Sequence, residues 1–304
     1  MKVLLTGAGG QLGRALLASR PPGITLVVTG RAELDLADAE ACRALVCRER
    51  PDWVLNAGAY TAVDRAETEP ELALAVNGAA PAAFAEALAE RSGRLLQLST
   101  DFVFAGQQGH PYRPQQPVAP LGVYGSSKAE GERAALEILG PSHATVLRTS
   151  WVYGPVGHNF CLTMLRLHRQ RGASGEALGV VADQVGCPTA THTLAQACWA
   201  AIARQLTGLQ HWCDAGAASW YDFAVAIGEL GVEAGLLEQA APVRPLTTAE
   251  YPTPARRPSY SLLDASGTRQ ALGLEPRHWR QALREVLAEL SAGAAAASGA
   301  PAAQ

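Results

Sequence analysis

The sequence lacks a strong excess of charge of either sign. Its 304 residues include 25 Lys and Arg against 28 Asp and Glu, which gives a formal net charge of -3. A protein that binds nucleic acid through the phosphate backbone needs many clustered cations, whereas the basic residues here are scattered along the chain. We therefore expect no nucleic-acid partner.

Long apolar runs and metal-binding cysteine pairs are also missing. The N-terminal run MKVLLT reaches a glycine at Gly7, too soon for the apolar segment of a signal peptide or for a membrane span. None of the 6 cysteines forms a Cys-x-x-Cys pair, and the 7 histidines complete no zinc-ligand spacing with them. We expect free thiols, no metal site, no membrane contact and a cytoplasmic location, because unpaired thiols suit a reducing compartment.

Through residue 150 the sequence alternates short apolar runs with longer helical patterns. The runs are VLLT, ITLVV, WVLNAG, RLLQLS and ATVLRTS. Such alternation is typical of parallel strands joined by crossover helices. It predicts an α/β fold in which residues 1–150 form a Rossmann-type, doubly wound parallel sheet that binds NAD(P).

After residue 150 the pattern loosens into helices separated by short strand-like pieces. Residues 151–290 are therefore predicted to form mainly a smaller C-terminal substrate-binding lobe, with segments that cross between the lobes. We expect Trp199, Trp212 and Trp220 to pack in this lobe. The last stretch, SAGAAAASGAPAAQ at residues 291–304, has low complexity and is predicted to be disordered.

A glycine array follows the first predicted strand directly. Gly7, Gly10 and Gly13 are spaced as G-x-x-G-x-x-G at the start of a helical pattern. The first glycine permits a tight turn, the second allows a pyrophosphate to approach the backbone, and the third allows the helix to pack closely. The array predicts a dinucleotide ligand, and ordinary turn glycines are the alternative interpretation.

The second predicted strand ends in VVTGRAELDL, where NAD-selective enzymes often present an acidic group to the ribose. Here Gly30 is followed by Arg31, whose guanidinium can pair with a 2′-phosphate. Arg31 therefore favours NADPH, with NADH as the alternative; a solvated surface arginine is the other interpretation. Asp35 and Leu36 are better placed beside the adenine.

The segment YGSSK puts Tyr124 and Lys128 one turn apart on the same face of a predicted helix. Tyrosine has a pKa of about 10, and a nearby lysine cation stabilises its phenolate for proton transfer near neutral pH. The fourth strand ends in LQLSTD, so the hydroxyl of Thr100 can hydrogen-bond a substrate carbonyl and the tyrosine. Ser99 is the alternative, because neighbouring strand residues point in opposite directions.

Several segments together resemble the extended short-chain dehydrogenase/reductase superfamily, and within it the family of dTDP-4-dehydrorhamnose reductases. They run in order from the N-terminus to Asp264, and this breadth is specific to a family. The segments are GAGGQLG, LDL, NAGAYTAVDRAE, LSTDFVF, YGSSKAEGE, RTSWVYG, NF with TML, DQVGCPT and YPTPARRPSYSLLD.

The resemblance implies a role for each part of the site. Tyr124 would donate the proton, Lys128 would bind the nicotinamide ribose and tune Tyr124, and Thr100 would assist. Thr100, Asp101 and Trp151 would contact the nucleotide sugar. The implied cofactor contacts are Gly10, Gln11 and Leu12 at the phosphates, Asp35 and Leu36 near the adenine, and Ala59, Tyr60 and Thr61 near the central portion.

The chain departs from the family pattern at some positions. The family commonly has S-T-D-Y-V-F-D-G, whereas this chain has Phe102 and Ala105 in place of the Tyr and the second Asp. Magnesium is associated with the family through glutamates at a dimer contact, but here Ala15 and His192 stand near those positions. We predict no protein-built magnesium site; a magnesium requirement and a homodimer stay open. Arg257 lies in a motif implied to approach the nucleotide.

By this resemblance, the reaction is hydride transfer from NADPH to the C4 ketone of dTDP-4-dehydro-6-deoxy-L-mannose, giving dTDP-L-rhamnose. One alternative is another extended short-chain epimerase or dehydratase of a nucleotide sugar, which recycles its hydride. Another is a non-catalytic regulatory subunit of methionine adenosyltransferase, which resembles the same family. Arg31, RTSWVYG and DQVGCPT favour the reductase over the first alternative. Retention of Thr100, Tyr124 and Lys128 argues against the second.

Overall fold

A computed structural model describes residues 1–298 of the chain. In chain order the strands and α-helices are β1 (Lys2–Thr6), α1 (Gln11–Ala18), β2 (Thr25–Val28), α2 (Ala39–Glu49), β3 (Trp53–Asn56), α3 (Val63–Ala66), α4 (Pro70–Leu74), α5 (Ala80–Ala89), β4 (Arg94–Thr100), α6 (Val123–Leu139), β5 (Ala144–Thr149), β6 (Val152–Tyr153), α7 (Phe160–Arg171), β7 (Leu178–Val181), β8 (Val185–Gly186), β9 (Thr189–Ala190), α8 (Thr191–Ala203), β10 (Gly208–His211), β11 (Ala218–Ser219), α9 (Trp220–Glu233), β12 (Val243–Leu246), α10 (Ser266–Leu272) and α11 (Trp279–Ser298).

The chain divides into two compact units. The first unit comprises Met1–Ser150, Thr191–Cys213 and Thr253–Glu275, and the second comprises Trp151–Ala190, Asp214–Pro252 and the chain from Pro276 onward. The first segment thus ends at the predicted boundary, and two later segments return to the first unit. Trp199 and Trp212 belong to that unit, so the expectation that they pack in the smaller lobe is wrong; Trp220 lies in the second unit.

The first unit is built on a six-stranded sheet with the strand order β10-β5-β4-β3-β1-β2. Every neighbouring pair in this sheet is parallel. The strand order reverses direction at β1, so right-handed crossovers put α1 and α2 on opposite faces. The predicted α/β fold with a Rossmann-type parallel sheet is confirmed.

Apolar side chains from alternate strand positions build the core on one face of this sheet. Leu4, Val54, Leu95 and Val146 come from four adjacent strands and share one buried cluster with residues of α2, α5 and α6. Helices must cover both faces of a parallel sheet, which explains why its strands are nearly continuous apolar runs. The carboxyl ends of these strands are left to carry polar groups.

The helical stretch between β3 and β4 contains a wider turn. Helix α4 continues through a π-helical turn at Ala75–Ala79 into α5. Pro81 has no N–H to donate to the carbonyl of Asn77 four residues earlier, and π-turns often mark functional positions. The stretch Pro70–Ala89 is long and apolar enough to cross a membrane by composition alone, but 61% of its apolar 18-residue window is buried inside the protein, as expected of a core helix.

The second unit contains three two-stranded sheets together with α7, α9 and α11. Helix α11 continues through Ser298, so the prediction of disorder is wrong for residues 291–298. Alanine, which is frequent in this stretch, has the highest helix propensity. The preceding turns of α11 are held in the protein by the buried side chains of Leu283, Val286 and Leu287. The rest of the predicted tail, residues 299–304, lies outside the described residues.

Replacing Gly13 by Ala is expected to destabilise the protein. A Cβ at Gly13 would lie 2.2 Å from the carbonyl oxygen of Gly7 and 2.6 Å from the Cα of Ala8, and neither backbone atom can move freely. We expect a loss of about 2 kcal/mol in the free energy of unfolding, because overpacking outweighs the gain in helix propensity. Urea denaturation measures this loss. The control is Gly9→Ala, whose Cβ meets no atom within 4 Å; equal stabilities of the two variants would refute the expectation.

Candidate active site

The glycine loop joins β1 to α1 at the carboxyl edge of the first unit's sheet. Gly7 has a φ of +66°, and a Cβ there would lie 2.6 Å from the backbone of Gly58. Gly10 precedes α1 and offers no side chain to cap it. The first turn of α1, with Gln11 and Leu12, therefore presents backbone N–H groups at a positive helix end, which suits an anionic phosphate.

A cleft of about 370 Å³ lies beside this loop. Among the residues predicted to contact a cofactor, those that line it are Gly7, Arg31, Asp35, Leu36, Ala59, Tyr60 and Thr61. Lining residues that the motifs did not indicate include Leu34, Gly58, Arg65, Glu69, Leu72 and Val76. The cleft thus combines apolar walls with polar groups and a cation, a composition that fits the adenosine end of a dinucleotide.

Two charged residues differ in how they stand at this cleft. Arg31 is exposed and makes no ion pair with the part of the chain that the structure describes, so its guanidinium is available to an anion. Arg65 instead pairs with Glu69, which also accepts a hydrogen bond of 2.6 Å from the hydroxyl of Tyr60. This hydrogen bond, with burial and the negative charge of Glu69, raises the pKa of Tyr60.

Asn77 links the cleft to α6, and no motif indicated it. Its side-chain amide accepts from the backbone N–H of Tyr60 at 2.9 Å and donates to the carbonyl of Tyr60 at 3.0 Å. The same amide donates to the hydroxyl of Ser127 at 3.0 Å, and that hydroxyl donates to the carbonyl of Tyr124 at 2.9 Å. The π-turn that carries Asn77 thus joins the wall of the cleft to the helix with the Tyr–Lys pair.

Tyr124 is the second residue of α6, close to the end of β4. Thr100, the last residue of that strand, lies close enough to influence the ionisation of the phenol. Burial raises the pKa of Tyr124 to about 12, the neighbouring hydroxyl of Thr100 acts against this rise, and the carboxylate of Asp101 adds to it. The phenol is therefore a neutral donor at physiological pH.

Lys128 lies one turn further along α6 and is 4% exposed. Its ammonium donates to the carbonyl of Leu98 at 2.6 Å. Burial lowers the pKa of Lys128 to about 8, and the negative charge of Glu132 opposes that fall. Lys128 therefore still carries its proton at neutral pH.

Asp101 and Ser99 differ in their surroundings. Asp101 is fully buried, which raises its pKa to about 6, although hydrogen bonds from the hydroxyls of Ser261 and Thr100 oppose the rise. Ser99 donates its hydroxyl to Glu132. Of the two strand-end hydroxyls, it is therefore Thr100 that lies at Tyr124.

Two further predicted residues stand in other surroundings. Trp151 belongs to the second unit, where it has a φ of +48° and stacks on Trp220 with ring centroids 3.6 Å apart. Arg257 donates to both carboxylate oxygens of Asp64, at 3.0 and 2.9 Å. Its guanidinium is thus held in an ion pair, which lowers the pKa of Asp64.

A buried ion pair lies beneath the Tyr–Lys pair. Glu132 on α6 binds Arg148 on β5 through two hydrogen bonds of 2.9 and 2.6 Å, and their side chains are 5% and 2% exposed. Ser99 adds a hydrogen bond to Glu132, and the guanidinium of Arg148 lies 5.0 Å from the centre of the Phe104 ring. These directed contacts fix α6 against β4 and β5.

No metal centre is evident in the part of the chain that the structure describes. Residues 1–298 contain no group of three or more His, Cys, Asp or Glu side chains arranged to hold a metal ion.

The fold and the site together define a Rossmann-type, nucleotide-dependent oxidoreductase of the short-chain class. The model of the family described as the RmlD substrate binding domain matches residues 1–292, and the chain belongs to this family.

Three known proteins illustrate the similarity. The chain is 44% identical over 290 residues to the dTDP-4-dehydrorhamnose reductase of Streptomyces griseus, covering 93% of this chain and 91% of that protein. It is 42% identical to a probable dTDP-4,6-dihydroxy-2-methyloxan-3-one 4-ketoreductase of Streptomyces antibioticus, with 96% of each chain covered. The crystal structure of the Bacillus anthracis dTDP-4-dehydrorhamnose reductase in complex with NADP has a TM-score of 0.87 and 32% identity, covering 95% of this chain and 99% of that one.

Removing the buried carboxylate of Glu132 is expected to destabilise the first unit strongly. In Glu132→Ala, Arg148 keeps its charge in a buried position without a partner, which costs about 3–5 kcal/mol. Urea denaturation at neutral pH measures the loss. The matched control on the same helix is Glu137→Ala, which breaks the ion pair between Glu137 and Arg133. The Glu137 side chain is 59% exposed, so this substitution should cost less than about 1 kcal/mol. Similar losses in the two variants would contradict a stabilising role for the buried pair.

Proposed function

We propose that the chain is an NADPH-dependent reductase that converts dTDP-4-dehydro-6-deoxy-L-mannose (dTDP-4-dehydro-β-L-rhamnose) at C4 to dTDP-L-rhamnose. The observation that carries this proposal is that Tyr124 and Lys128 of α6 both approach β4, where Thr100 influences the phenol and the carbonyl of Leu98 accepts from the ammonium. The family and the names of the relatives support the choice of a nucleotide-linked keto-sugar.

The cofactor in this proposal extends from the glycine loop to α6. Gly7, Gly10 and Gly13 let the phosphates approach the N–H groups of Gln11 and Leu12. The remaining contacts are Arg31 at the 2′-phosphate, Asp35 and Leu36 at the adenine, Ala59, Tyr60 and Thr61 at the central portion, and Tyr124 and Lys128 at the nicotinamide ribose. The uncapped start of α1 and the cation at the cleft support this fit.

When bound, NADPH supplies the hydride that adds to C4 of the sugar. Tyr124 donates its phenolic proton to the ketone oxygen, so the carbonyl becomes an alcohol. Burial keeps this phenol protonated before the step. Thr100 aligns the phenol and the carbonyl by hydrogen bonding, and the ammonium of Lys128 stabilises the phenolate that Tyr124 becomes.

The sugar nucleotide in this proposal is held by Thr100, Asp101 and Trp151. The carboxyl of Asp101 accepts hydrogen bonds from protein hydroxyls, so it is oriented for a sugar hydroxyl as well. Trp151 offers a flat ring, and its positive φ is a strained conformation of a kind that clusters at functional sites. A cytoplasmic location belongs to the proposal, supported by six free thiols of which five are buried.

A second candidate is reduction of another dTDP-linked 4-keto sugar. The 42% identity to the Streptomyces antibioticus ketoreductase is close to the 44% identity to the Streptomyces griseus enzyme, so similarity alone does not choose the sugar. Both candidates use the same Tyr124 chemistry and differ only in the contacts around the ring.

Purified protein is expected to oxidise NADPH when it is given the 4-keto sugar, with one NADPH consumed for each sugar reduced. Tyr124→Phe should lower kcat at least about 100-fold because the proton donor is lost, with NADPH binding kept within about twofold. The measurement is absorbance of NADPH with product analysis, comparing the rhamnose precursor with dTDP-4-keto-6-deoxy-D-glucose.

The control is Tyr251→Phe, which changes a tyrosine that is 59% exposed. Full activity of Tyr124→Phe would exclude Tyr124 as the donor. Conversion of the sugar without net loss of NADPH would identify an epimerase instead.

Arg31→Ala is expected to raise KM for NADPH about tenfold and to leave KM for NADH within about twofold. Only NADPH carries the 2′-phosphate that a guanidinium can bind. Steady-state kinetics with each cofactor measure the difference, and Arg20→Ala provides an exposed arginine as the control. An equal change in KM for both cofactors would show that Arg31 does not bind the 2′-phosphate.

A further inference from the structure

Helix α6 begins without a cap from its own sequence. Gly122 precedes the helix with φ −151° and provides no side-chain hydrogen bond, and the first turn of α6 contains no acidic residue. Uncapped N–H groups at a positive helix end are normally satisfied by an acceptor, and a negative charge there is favourable. Tyr124 sits in this first turn, so whatever holds the turn also holds the phenol.

Glu67 supplies the missing acceptor from a distant part of the chain. Its Oε1 accepts from the backbone N–H of Val123, the first residue of α6, at 2.9 Å. A Cβ on residue 122 would lie 2.5 Å from the same oxygen, so glycine at this position allows the carboxylate to reach the helix. Glu67 is half-buried, where the bond is screened less by water than at an exposed site.

Glu67 itself belongs to a firmly held segment. It directly follows α3, a helix that the Asp64–Arg257 ion pair ties to the chain near residue 255. The residues just before α3 line the cofactor cleft, and Tyr60 among them is fixed on both backbone groups by Asn77. Because the segment is held in place, its carboxylate can also hold the start of the helix that it caps in a fixed position.

We infer that Glu67 is a positioning residue that fixes the start of α6, and with it Tyr124, relative to the wall of the cofactor cleft. The inference rests on the proposed function, because alignment of Tyr124 matters only if this phenol donates the proton. A shift of the reacting groups by about 1 Å can lower a rate by two orders of magnitude. Glu67 therefore affects the rate of the step more than the binding of either ligand.

Two substitutions separate positioning from simple capping. Glu67→Ala removes the acceptor, whereas Gly122→Ser displaces the Glu67 carboxylate but gives the helix a preferred cap of its own. We expect kcat to fall about tenfold in both variants, with KM for NADPH and for the sugar within about twofold. Glu67→Gln keeps an acceptor oxygen, so its kcat should fall no more than about threefold. The control is the exposed Glu71→Ala on the neighbouring α4.

Wild-type kcat in Gly122→Ser, together with a loss in Glu67→Ala, would overturn the inference, because a cap alone would then suffice. Wild-type kcat in Glu67→Ala would overturn it as well. Equilibrium unfolding of each variant separates a loss of rate from a loss of folded protein.

A second measurement needs no substrate. Without ligands, amide hydrogen exchange should become faster in peptide 121–125 in Glu67→Ala, because the start of α6 loses its acceptor, while peptide 59–66 stays held by Asn77 and Arg257. Unchanged exchange in peptide 121–125 would contradict the link. If the wild-type protein fails to oxidise NADPH with the sugar, the proposed function is wrong, while the exchange result still decides whether Glu67 joins the two segments.

Discussion

The burial of Glu132 and Arg148 is the constraint on which the active site of this protein depends. The pair joins α6 to β5 with side chains only 5% and 2% exposed, and burying two charges is unfavourable unless their hydrogen bonds are well formed. Ser99 and the carbonyl of Pro114 supply the additional bonds. Because these bonds are directional, α6 has one favoured register on the sheet, whereas a purely apolar contact would tolerate sliding. Lys128 lies one turn before Glu132 on the same helix, so its position along the sheet is fixed by the same ion pair.

Local patterns explain why much of the fold was predictable. Apolar strands alternate with helical stretches up to residue 150, and neighbouring parallel strands follow one another along the chain. The return of Thr191–Cys213 and Thr253–Glu275 to the first unit was not located by sequence. The edge strand β10 of the six-stranded sheet has the sequence GLQH, which contains no apolar run from which a strand could be predicted. Its place in the sheet depends on pairing with β5, a long-range contact that no local pattern encodes.

The same distinction applies to the site. Gly7, Tyr124 and Lys128 can be predicted from the sequence because their proposed chemistry depends on spacing within one turn or one helix. Asn77 and Ser261 act across 17 and 160 residues respectively, so sequence spacing contains no signal for them. Arg257 shows the same dependence on long-range contacts. Its motif gave no sign that Asp64, 193 residues earlier, holds the guanidinium in an ion pair; the prediction that Arg257 approaches the nucleotide stays a prediction.

Burial acts on Tyr124 and Lys128 in opposite directions, and this opposition is useful for the proposed reaction. It raises the pKa of the phenol to about 12 and lowers that of the ammonium to about 8, because each charged form alone is poorly solvated. In the proposed reaction Tyr124 gives up its proton and the ammonium of Lys128 stabilises the phenolate, so each charge reduces the cost of burying the other. The penalty that keeps the phenol neutral before the step is therefore partly relieved as the proton leaves. This relief requires Lys128 to be charged, and Glu132 favours that charge, so the buried ion pair that fixes the helix also supports the chemistry.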